Sequence, residues 1–312
     1  MCELKIGLAI PTYNGGAIWK ESAEKISSIN NKYPVLVIDS SSSDESVHIA
    51  LKNGFVVKKI LSSDFNHGGT RNLCVEECNT DVVIFFTQDA IPTEGCIERI
   101  ADAFKDSNVA CAYGRQLPHV DANAIAAHAR HYNYPQKSHI SNSATIEKMG
   151  IKTVFMSNSF SAYRVSIFKE LEGFPVDTIL CEDMYFAAKA VIAGYSIAYV
   201  ADAKVHHSHN YTMRDEFTRY FDIGVFHSDE SWIRKKFGGA GGEGKKFLIS
   251  ELRYLLKNNP KLLFNACINN FSKIVGYKIG LKYKKLPINF CKKLSMHKKY
   301  WDSKKNGISN PR

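Results

Sequence analysis

The sequence predicts an α/β fold in which a mostly parallel sheet is flanked by helices. Short apolar runs of strand length alternate with segments whose apolar residues recur at helical spacing, and polar or glycine-containing loops separate the two kinds of segment. Such alternation is typical of parallel strands joined by right-handed crossovers. At 312 residues, the chain is long enough to bury a large core as one elaborated domain or as two.

The predicted elements follow one another in a strand, loop, helix cycle. Strands are expected at residues 5–10, 35–38, 55–60 and 82–86. Helices are expected after Ile18 and at residues 44–53, 69–78 and 184–193. Residues 196–200 and 204–207 are predicted as two short strands, and residues 117–150, which are rich in His, Asn, Ser and Ala, as an irregular excursion.

The positive charge is concentrated at the C-terminal end. Residues 245–312 contain 17 Lys plus Arg against 2 Asp plus Glu, a balance of +15, so residues 1–244 carry 10 − 15 = −5. Five glycines in residues 237–244 predict a hinge or a mobile lid. Beyond it, apolar residues alternate with Lys at helical intervals. We therefore expect a body at 1–244 and a basic amphipathic helical tail at 245–312.

The composition excludes several classes of protein. Glu3 and Lys5 stand where a secretion signal needs an apolar block, and no stretch approaches the ~18 uninterrupted apolar residues of a spanning helix. The eight cysteines include no C-x-x-C pair. A reducing compartment, with the protein either free or attached to a membrane surface, fits these features best.

Polar residues follow the first two predicted strands. The first loop, Pro11, Thr12, Tyr13 and Asn14, lacks the G-x-G-x-x-G spacing of dinucleotide-binding turns, which disfavours a nicotinamide dehydrogenase. Asp39 ends the second strand, where a carboxylate can accept from a pyrimidine N–H or a ribose hydroxyl. Because ligands bind beyond the carboxyl ends of parallel strands, we expect Thr12, Asp39 and also Asp89 to face one crevice.

The next strand end carries groups suited to phosphate and metal. Residues 65–72, with Arg71 and Asn72, offer backbone N–H groups at a helix start together with a guanidinium, a combination that binds anionic oxygens. Gln88 and Asp89 follow the strand at 82–86. A hard cation such as Mg2+ or Mn2+ on a diphosphate needs only one or two carboxylates. The alternative is that Asp89 only caps a helix or forms a turn.

Two further groups complete the candidate set. His207 and His209 alternate after a predicted strand, so their side chains are expected on the same side. One of them could ligate the cation held by Asp89. The alternative is a structural role, which is more common for a single histidine. Glu182 and Asp183 open a helix. One of them is a candidate general base, and because neighbours on a helix point about 100° apart, only one is expected to touch the substrate.

These residues resemble a known family. In order and spacing they are similar to the inverting glycosyltransferases of family 2, which have the GT-A fold, over about residues 5–210. A narrower resemblance, to bacterial rhamnosyltransferases of surface polysaccharide synthesis, extends through about residue 250. The family 2 resemblance is carried by residues 11–14, 39–43, 69–72, 89–92, 182–183 and His207. The narrower one is carried by residues 65–72, 88–90, 207–211 and 237–244.

The resemblance implies transfer of L-rhamnose from dTDP-L-rhamnose to a lipid-linked oligosaccharide, with inversion at the anomeric carbon. It implies that Asp39 contacts the nucleoside, Arg71 the nucleotide, Asp89 the metal, His207 the metal or the diphosphate, and Asp183 the acceptor as base. The first loop, Asn72 and Gln88 would complete the nucleotide-sugar site, and His209 the metal site. The family's metal motif often has two aspartates around one residue, and here Thr87 stands where the first would be.

The basic tail fits the same hypothesis. A lipid-linked acceptor lies at a membrane whose anionic surface attracts Lys clusters by ~1 kcal/mol per residue. The Lys residues at 282–299, interleaved with aromatic side chains up to Trp301, suit such an interface on the inner face of a bacterial cytoplasmic membrane. The alternative is a helical cap that packs on the body with a solvated cationic face.

Three other functions stay open from the sequence. A family 2 transferase with a UDP-hexose donor is the nearest one. A nucleic-acid-binding protein driven by the basic tail is a second, and it leaves the acidic body and the carboxylate set without a purpose, so no nucleic-acid partner is expected. A catalytically silent scaffold of the same fold is the third, and it would bind a nucleotide sugar without turnover.

Overall fold

The computed structural model of the chain describes residues 4–30, 32–239 and 241–305. Its strands form a single mixed sheet. They are β1 (Ile6–Thr12), β2 (Val35–Asp39), β3 (Val56–Lys59), β4 (Val82–Phe86), β5 (Ile91–Pro92), β6 (Val109–Leu117), β7 (His139–Ser141), β8 (Phe160–Arg164) and β9 (Ser196–His206).

Helices cover both faces of this sheet and form the C-terminal region. They are α1 (Gly16–Ile29), α2 (Ser46–Lys52), α3 (His67–Cys78), α4 (Cys96–Ala101), α5 (Ala124–Asn133), α6 (Ile146–Met149), α7 (Val165–Glu170), α8 (Glu182–Ile192), α9 (Met213–Asp229), α10 (Ser231–Phe237), α11 (Gly241–Asn258), α12 (Leu263–Gly280), α13 (Ile288–Leu294) and α14 (Lys298–Lys305). Short 3-10 turns lie at 102–105, 143–145, 150–154, 260–262 and 283–285.

The first half of the sheet is parallel, as the sequence predicts. The strand order is β3-β2-β1-β4-β8-β6-β9-β5, with β7 paired to β9 outside this path. Strands β1, β2, β3 and β4 run parallel, and Thr12 lies opposite Asp39. The predicted convergence of strand ends at one edge is confirmed for these two residues. Helix α3 begins earlier than predicted, at His67, because the Asn66 side chain accepts from Gly69 N at 2.8 Å.

The second half of the sheet departs from the prediction of two short strands near residue 200. Strand β9 is continuous over eleven residues and pairs parallel with β6. Its register shifts between Gly114 and Arg115, so residues 201–203 lie opposite no residue of β6. There the Ala201 N–H donates to Ser138 Oγ at 2.9 Å instead. Residues 201–203, which the sequence predicts as a gap between two strands, therefore form a bulge within one strand.

The excursion predicted at 117–150 is more ordered than expected. It contains α5, β7 and α6. The Asn123 side chain caps α5 by accepting from Ala126 N at 2.9 Å. The rings of His128 and Tyr132 lie 5.0 and 5.1 Å from that of Phe247 on α11. Because α5 is stabilised by a partner more than one hundred residues away, its sequence shows only weak helical periodicity. The prediction of an irregular segment at α5 is therefore wrong.

The C-terminal helices pack on the body rather than extending from it. Helix α12 approaches α9 so closely that a Cβ added at Gly276 or Gly280 would lie 2.4 Å or 2.1 Å from a backbone oxygen of α9. Trp301 of α14 is buried, with its ring 6.2 Å from that of Phe221 on α9. The alternative of a packed helical cap thus holds for α12 and α14. The boundary at residue 244 stays a prediction, and residues 306–312 lie outside the described chain.

The glycine-rich segment is partly helical. Helix α10 ends at Phe237 and α11 begins at Gly241, which places the last three glycines of the segment within α11, while Ala240 lies outside the described residues. A hinge or lid role for the segment stays a prediction. Within the described chain, no helix is both long enough and apolar enough to cross a membrane.

Candidate active site

One carboxylate and two imidazoles meet where β4 and β9 end. Asp89 follows β4, and His207 and His209 follow β9. The short antiparallel pairing of β5 with β9 aligns Ile91 with His206 and so brings the three side chains together. Asp89 Oδ2 lies 3.4 Å from His207 Nε2 and 3.5 Å from His209 Nε2. We call Asp89, His207 and His209 the metal triad.

The metal triad has the chemistry of a cation site. Its ligand atoms lie within 4.8 Å of one another. Burial alone would raise the pKa of Asp89, but the hydrogen bond and charge of His207 hold that pKa well below its usual range. Burial, reinforced by the charge of His207, lowers the pKa of His209 to about 4. An ionised carboxylate beside a neutral imidazole is the form in which both groups ligate a metal.

Gln116 orients the metal triad. At the end of β6, its Oε1 accepts from His207 Nδ1 at 2.9 Å and also from the Arg130 guanidinium. Because Oε1 is an acceptor, Nδ1 of His207 carries a proton, so the neutral form of the ring would offer its Nε2 lone pair to a cation held by Asp89. Gln116 Nε2 donates to Ser157 Oγ at 2.7 Å. The amide therefore connects the metal triad to the loop before β8.

The same loop holds the acidic pair that begins α8. Asn158 N donates to Asp183 Oδ2 at 3.2 Å, and Asn158 Nδ2 donates to Glu182 Oε1 at 2.8 Å. Asn158 Oδ1 in turn accepts from the hydroxyls of Ser161 and Tyr163 at 2.9 and 2.7 Å. A continuous line of side-chain and backbone contacts thus joins the metal triad to Asp183, and both lie in one region of the molecule.

The two adjacent carboxylates have different surroundings. Cys181, with a left-handed φ of 61°, turns the chain into α8 just before them. Glu182 is buried and pairs with Arg71, whose Nη1 lies 3.1 Å from Glu182 Oε1. Asp183 is half-buried, and its carboxylate accepts only from backbone N–H groups, those of Asn158 and Met184.

Opposite charges therefore act on the two groups. Although burial opposes it, the Arg71 charge holds the pKa of Glu182 below its usual value. Burial, together with the neighbouring Glu182 carboxylate, raises the pKa of Asp183. A base with a raised pKa accepts a proton more readily near neutral pH, which favours Asp183 over Glu182 as the proton acceptor.

The predicted nucleoside end is built around the first loop. Asp39 is fully buried, and its carboxylate accepts from Thr12 Oγ1 at 3.3 Å and from Ser42 N at 2.9 Å. Gln88 clamps the backbone of Tyr13, accepting from its N–H at 2.8 Å and donating to its carbonyl at 3.2 Å. The Tyr13 ring is left half exposed.

The loop closes against the serine-rich segment that follows β2. Asn14 adopts a left-handed φ of 46°, and its Oδ1 accepts from Ser43 N at 2.8 Å. Pro11 lies within β1, opposite Ile38. Thr12, Tyr13, Asn14, Asp39 and Gln88 are therefore neighbours, and their contact with a nucleotide stays a prediction.

Arg71 and Asn72 hold protein groups rather than facing an open cleft. Arg71 is buried and, besides Glu182, binds His67 O at 3.0 Å. Asn72 donates to Phe174 O and accepts from Phe174 N, both at 2.9 Å. The predicted nucleotide contacts of Arg71 and Asn72 stay predictions, and the geometry gives each a structural partner that the sequence did not reveal.

Several residues of the site were missed in the sequence. Gln116 is the last residue but one of β6, so the rule that ligands bind beyond strand ends would have pointed to it had β6 been predicted from the sequence. No local signal marks Ser157 or Asn158. His119 contacts Asp89 O through Nε2 at 3.2 Å, and it lies in the segment predicted as irregular.

Comparisons with known proteins agree with this geometry. Residues 8–172 match the model of Glycosyl transferase family 2. The chain is 52% identical to the O-antigen chain rhamnosyltransferase RfbN of Salmonella typhimurium, covering 96% of this chain and 97% of the relative. It is 49% identical to the O-antigen chain rhamnosyltransferase WbaN of Salmonella anatum, covering 95% of each.

The fold is shared with solved transferases. The mannosyltransferase PcManGT from Pyrobaculum calidifontis, solved in complex with GDP-Man and Mn2+, is similar to the whole chain with a TM-score of 0.57 and 16% identity, covering 89% of the mannosyltransferase. The predicted GT-A class, with its mostly parallel sheet, flanking helices and helical C-terminal region, is confirmed.

The ion pair between Arg71 and Glu182 should be a major contributor to stability. Arg71→Met removes the cation and leaves Glu182 buried without its counter-charge, so we expect a loss of about 3–5 kcal/mol in the free energy of unfolding, measured by urea denaturation. Lys58→Met is the matched control, since its pair with Glu77 at 2.7 Å is exposed and should contribute no more than about 1 kcal/mol. Equal losses in the two variants would contradict the structural role of Arg71.

Proposed function

The chain belongs to glycosyl transferase family 2, and from this premise we propose that it is an O-antigen chain rhamnosyltransferase that transfers L-rhamnose from dTDP-L-rhamnose to a lipid-linked oligosaccharide. The nearly full-length relatives that carry the rhamnosyltransferase name support the activity. The donor nucleotide, the lipid-linked acceptor and inversion at the anomeric carbon are the finer parts of the proposal.

One observation carries the proposal. The contacts that run from the metal triad through Gln116 and Ser157 to Asn158 end on Asp183, the candidate base. Displacement at an anomeric carbon needs a base on the nucleophile and positive charge on the departing diphosphate, within one cleft. The contacts that join the metal triad to Asp183 support such an arrangement.

The proposed reaction assigns one role to Asp183 and another to the metal triad. Asp183 accepts the proton of the acceptor hydroxyl. The hydroxyl oxygen at the same time forms a bond to the anomeric carbon of rhamnose. The bond from that carbon to the phosphate oxygen breaks, and dTDP leaves with the bonding electrons. Glu182 stays ionised beside Arg71 and keeps the pKa of Asp183 raised.

The metal triad fits a divalent cation. Asp89, His207 and His209 would hold it, with Gln116 fixing the His207 ring. Two imidazoles and one carboxylate suit Mn2+ better than Mg2+, which prefers oxygen ligands. When bound, such a cation neutralises charge on the diphosphate. The Mn2+ present in the mannosyltransferase complex supports the same choice.

Asp183→Asn tests the base. The amide keeps the shape of the side chain but cannot accept the proton, so we expect kcat to fall by about 10²–10⁴. The Kd for dTDP, measured by calorimetry, should change less than about threefold, because Asp183 does not face the nucleotide in the proposal. Asp202→Asn, at an exposed position on β9, is the control and should keep wild-type kcat.

The pH dependence of kcat is a second test of Asp183 as the base. Because the pKa of Asp183 is raised, kcat should be lost as pH falls through a value above that of an ordinary aspartate and regained above it. A profile flat down to about pH 4, or an Asp183→Asn variant that loses dTDP binding to the same extent as activity, would remove Asp183 from the base role.

His207→Ala tests the metal triad. Loss of one ligand should weaken Mn2+ binding in the presence of dTDP by at least about tenfold, measured by calorimetry or by the paramagnetic signal of free Mn2+. His206→Ala is the matched control, since His206 Nδ1 binds Pro118 O at 2.8 Å and is not a member of the metal triad. Mn2+ binding that responds equally to the two variants, or to neither, would argue against the site.

A thermal-shift panel distinguishes the donors. Stabilisation by dTDP-L-rhamnose at concentrations where UDP-glucose, UDP-galactose and UDP-N-acetylglucosamine have no effect supports the proposed donor. The reverse order would favour the UDP-hexose alternative. Binding of dTDP-L-rhamnose with no transfer to any oligosaccharide acceptor would favour the silent scaffold.

The membrane part of the proposal rests on a different surface from the one that the sequence indicated. Lys284 pairs with Asp229 at 2.9 Å, Lys299 donates to Ser62 Oγ at 2.6 Å, and Trp301 is buried. These residues of the 282–301 cluster are engaged in packing the C-terminal helices on the body, so they are poor candidates for an interface.

Helices α11 and α12 offer a better one. Leu256, Phe264 and Phe271 have exposed fractions of 62%, 73% and 68%. The sequence has no Asp or Glu from residue 252 to residue 301. We call the exposed apolar residues of these helices, with their Lys and Arg neighbours, the α11–α12 face; they are Ile249, Leu252, Arg253, Leu256, Lys257, Phe264, Phe271, Ile274 and Lys278. An apolar surface with positive charges among its residues complements an anionic bilayer.

Phe264→Ser combined with Phe271→Ser tests the α11–α12 face. Two aromatic side chains lose their apolar contribution, so binding to vesicles of phosphatidylglycerol and phosphatidylcholine should weaken at least about tenfold in a sedimentation assay. Val120→Ser, an exposed apolar position in the loop before α5, is the control and should leave binding unchanged.

Other outcomes point elsewhere. Unchanged vesicle binding in the double variant would reject this surface. A wild-type dimer that the double variant converts to monomer, measured by analytical ultracentrifugation, would assign the α11–α12 face to a second copy of the chain. Tight binding of duplex DNA in place of vesicles would favour the nucleic-acid alternative.

A further inference from the structure

Two arginines lie beside the metal triad without a carboxylate partner. Arg130 belongs to α5 and Arg219 to α9. Neither forms an ion pair with an acidic side chain in residues 4–30, 32–239 and 241–305, whereas Arg71, the buried arginine at the start of α3, pairs with Glu182. Neither arginine was singled out in the sequence.

Arg130 is tied to the metal triad through one amide. Its guanidinium donates to Gln116 Oε1, the same oxygen that accepts from His207. Its Cζ lies 5.8 Å from the centre of the Tyr134 ring, and its Nε is buried without a hydrogen-bond partner. The charge of the group is therefore met only by neutral dipoles and a ring face.

Arg219 reaches the metal triad through aromatic contacts. Its Cζ lies 5.9 Å from the Tyr211 ring, whose centre is 5.1 Å from that of His209. Glu216, one turn earlier on the same helix, pairs with Lys273 Nζ at 3.1 Å, and its charge acts on Arg219 as well. Through Tyr211, Arg219 thus lies within two ring contacts of His209.

An enclosed cation without a counter-charge is costly. Burying an ion is offset only by a partner of opposite charge or by several hydrogen bonds. Two cations bordering one metal triad add mutual repulsion, and a bound divalent metal ion would add more. A polyanion would stabilise this arrangement, and a diphosphate has both the charge and the acceptor geometry that guanidinium groups match in pairs.

We propose that Arg130 and Arg219 form an anion subsite that binds the diphosphate of the nucleotide donor and keeps hold of it as it leaves. The inference rests on the proposed function, because it takes the donor to be a nucleoside diphosphate sugar. It assigns to α5 and α9 the phosphate contacts that the sequence assigned to Arg71, which pairs with Glu182 instead. Arg219 is the stronger test because Arg130 also holds Gln116.

The decisive variant is Arg219→Gln, with Arg219→Lys beside it. In the presence of Mn2+, Arg219→Gln should weaken dTDP binding by about 10–100-fold in calorimetry, and Arg219→Lys should lose less because the charge is kept. Binding of thymidine, which has no phosphate, should be the same in all proteins. Arg214→Gln, exposed on the same helix, is the matched control and should bind dTDP as the wild type does.

The stability of the ligand-free protein separates a binding role from a structural one. A residue that acts through ligand binding contributes little to the ligand-free fold, so Arg219→Gln without ligand should melt near the wild-type temperature while its stabilisation by dTDP is reduced. A variant that melts lower yet binds dTDP normally would assign Arg219 to the fold and overturn the inference. The Arg219→Lys protein keeps the test informative if the glutamine variant fails to fold.

The source of the diphosphate is a separate arm of the experiment. Farnesyl diphosphate has the same anionic group on a lipid, as the acceptor would. If Arg219→Gln weakens binding of dTDP and leaves that of farnesyl diphosphate unchanged, the donor is the ligand; the opposite result overturns the inference as stated. Wild-type protein that binds neither dTDP nor dTDP-L-rhamnose would instead contradict the proposed function itself.

Discussion

The candidate site depends on one short strand pairing. Strand β5 has only two residues, and it pairs antiparallel with the end of β9 so that Ile91 lies opposite His206. Asp89 precedes one of these residues and His207 follows the other, so the pairing determines the distance between carboxylate and imidazole. A shift of one residue would turn the side chains of β9 to the opposite face and separate the metal triad. The parallel pairing of β6 with the same strand places Gln116 beside it.

Around that pairing, buried amides connect groups that act on different parts of a substrate. Gln116 and Asn158 each use both ends of the side chain, so neither leaves a buried donor or acceptor unmatched. Such a fully satisfied network is rigid, because every rotamer change breaks more than one hydrogen bond. The His207 tautomer and the orientation of Asp183 are consequences of the same network, which links metal binding to proton transfer without a direct contact between Asp89 and Asp183.

The sequence predicts most of the parallel half and the polar residues at its edge, because strand periodicity and strand-end position are local signals. It predicts Asp89, His207 and His209 as a group, which the structure brings together. It does not predict the irregular half. Helix α5 and the β9 bulge depend on distant partners such as Phe247 and Ser138. The sequence also leaves the role of the C-terminal lysine clusters open. Charge alone does not distinguish a lysine that pairs with an acid of the body, as Lys284 does with Asp229, from one that faces solvent.

The adjacent acids show why neighbouring residues of one type can have unlike chemistry. Glu182 and Asp183 begin the same helix, where the dipole favours negative charge on both. Their difference comes from direction: Glu182 points toward Arg71 and is neutralised, whereas Asp183 receives only backbone N–H groups and the repulsion of its neighbour. One buried cation therefore does two things, since it stabilises Glu182 as a carboxylate and thereby makes Asp183 the more basic group. Lacking Arg71 at this position, the pair would share a proton and neither would be a defined base.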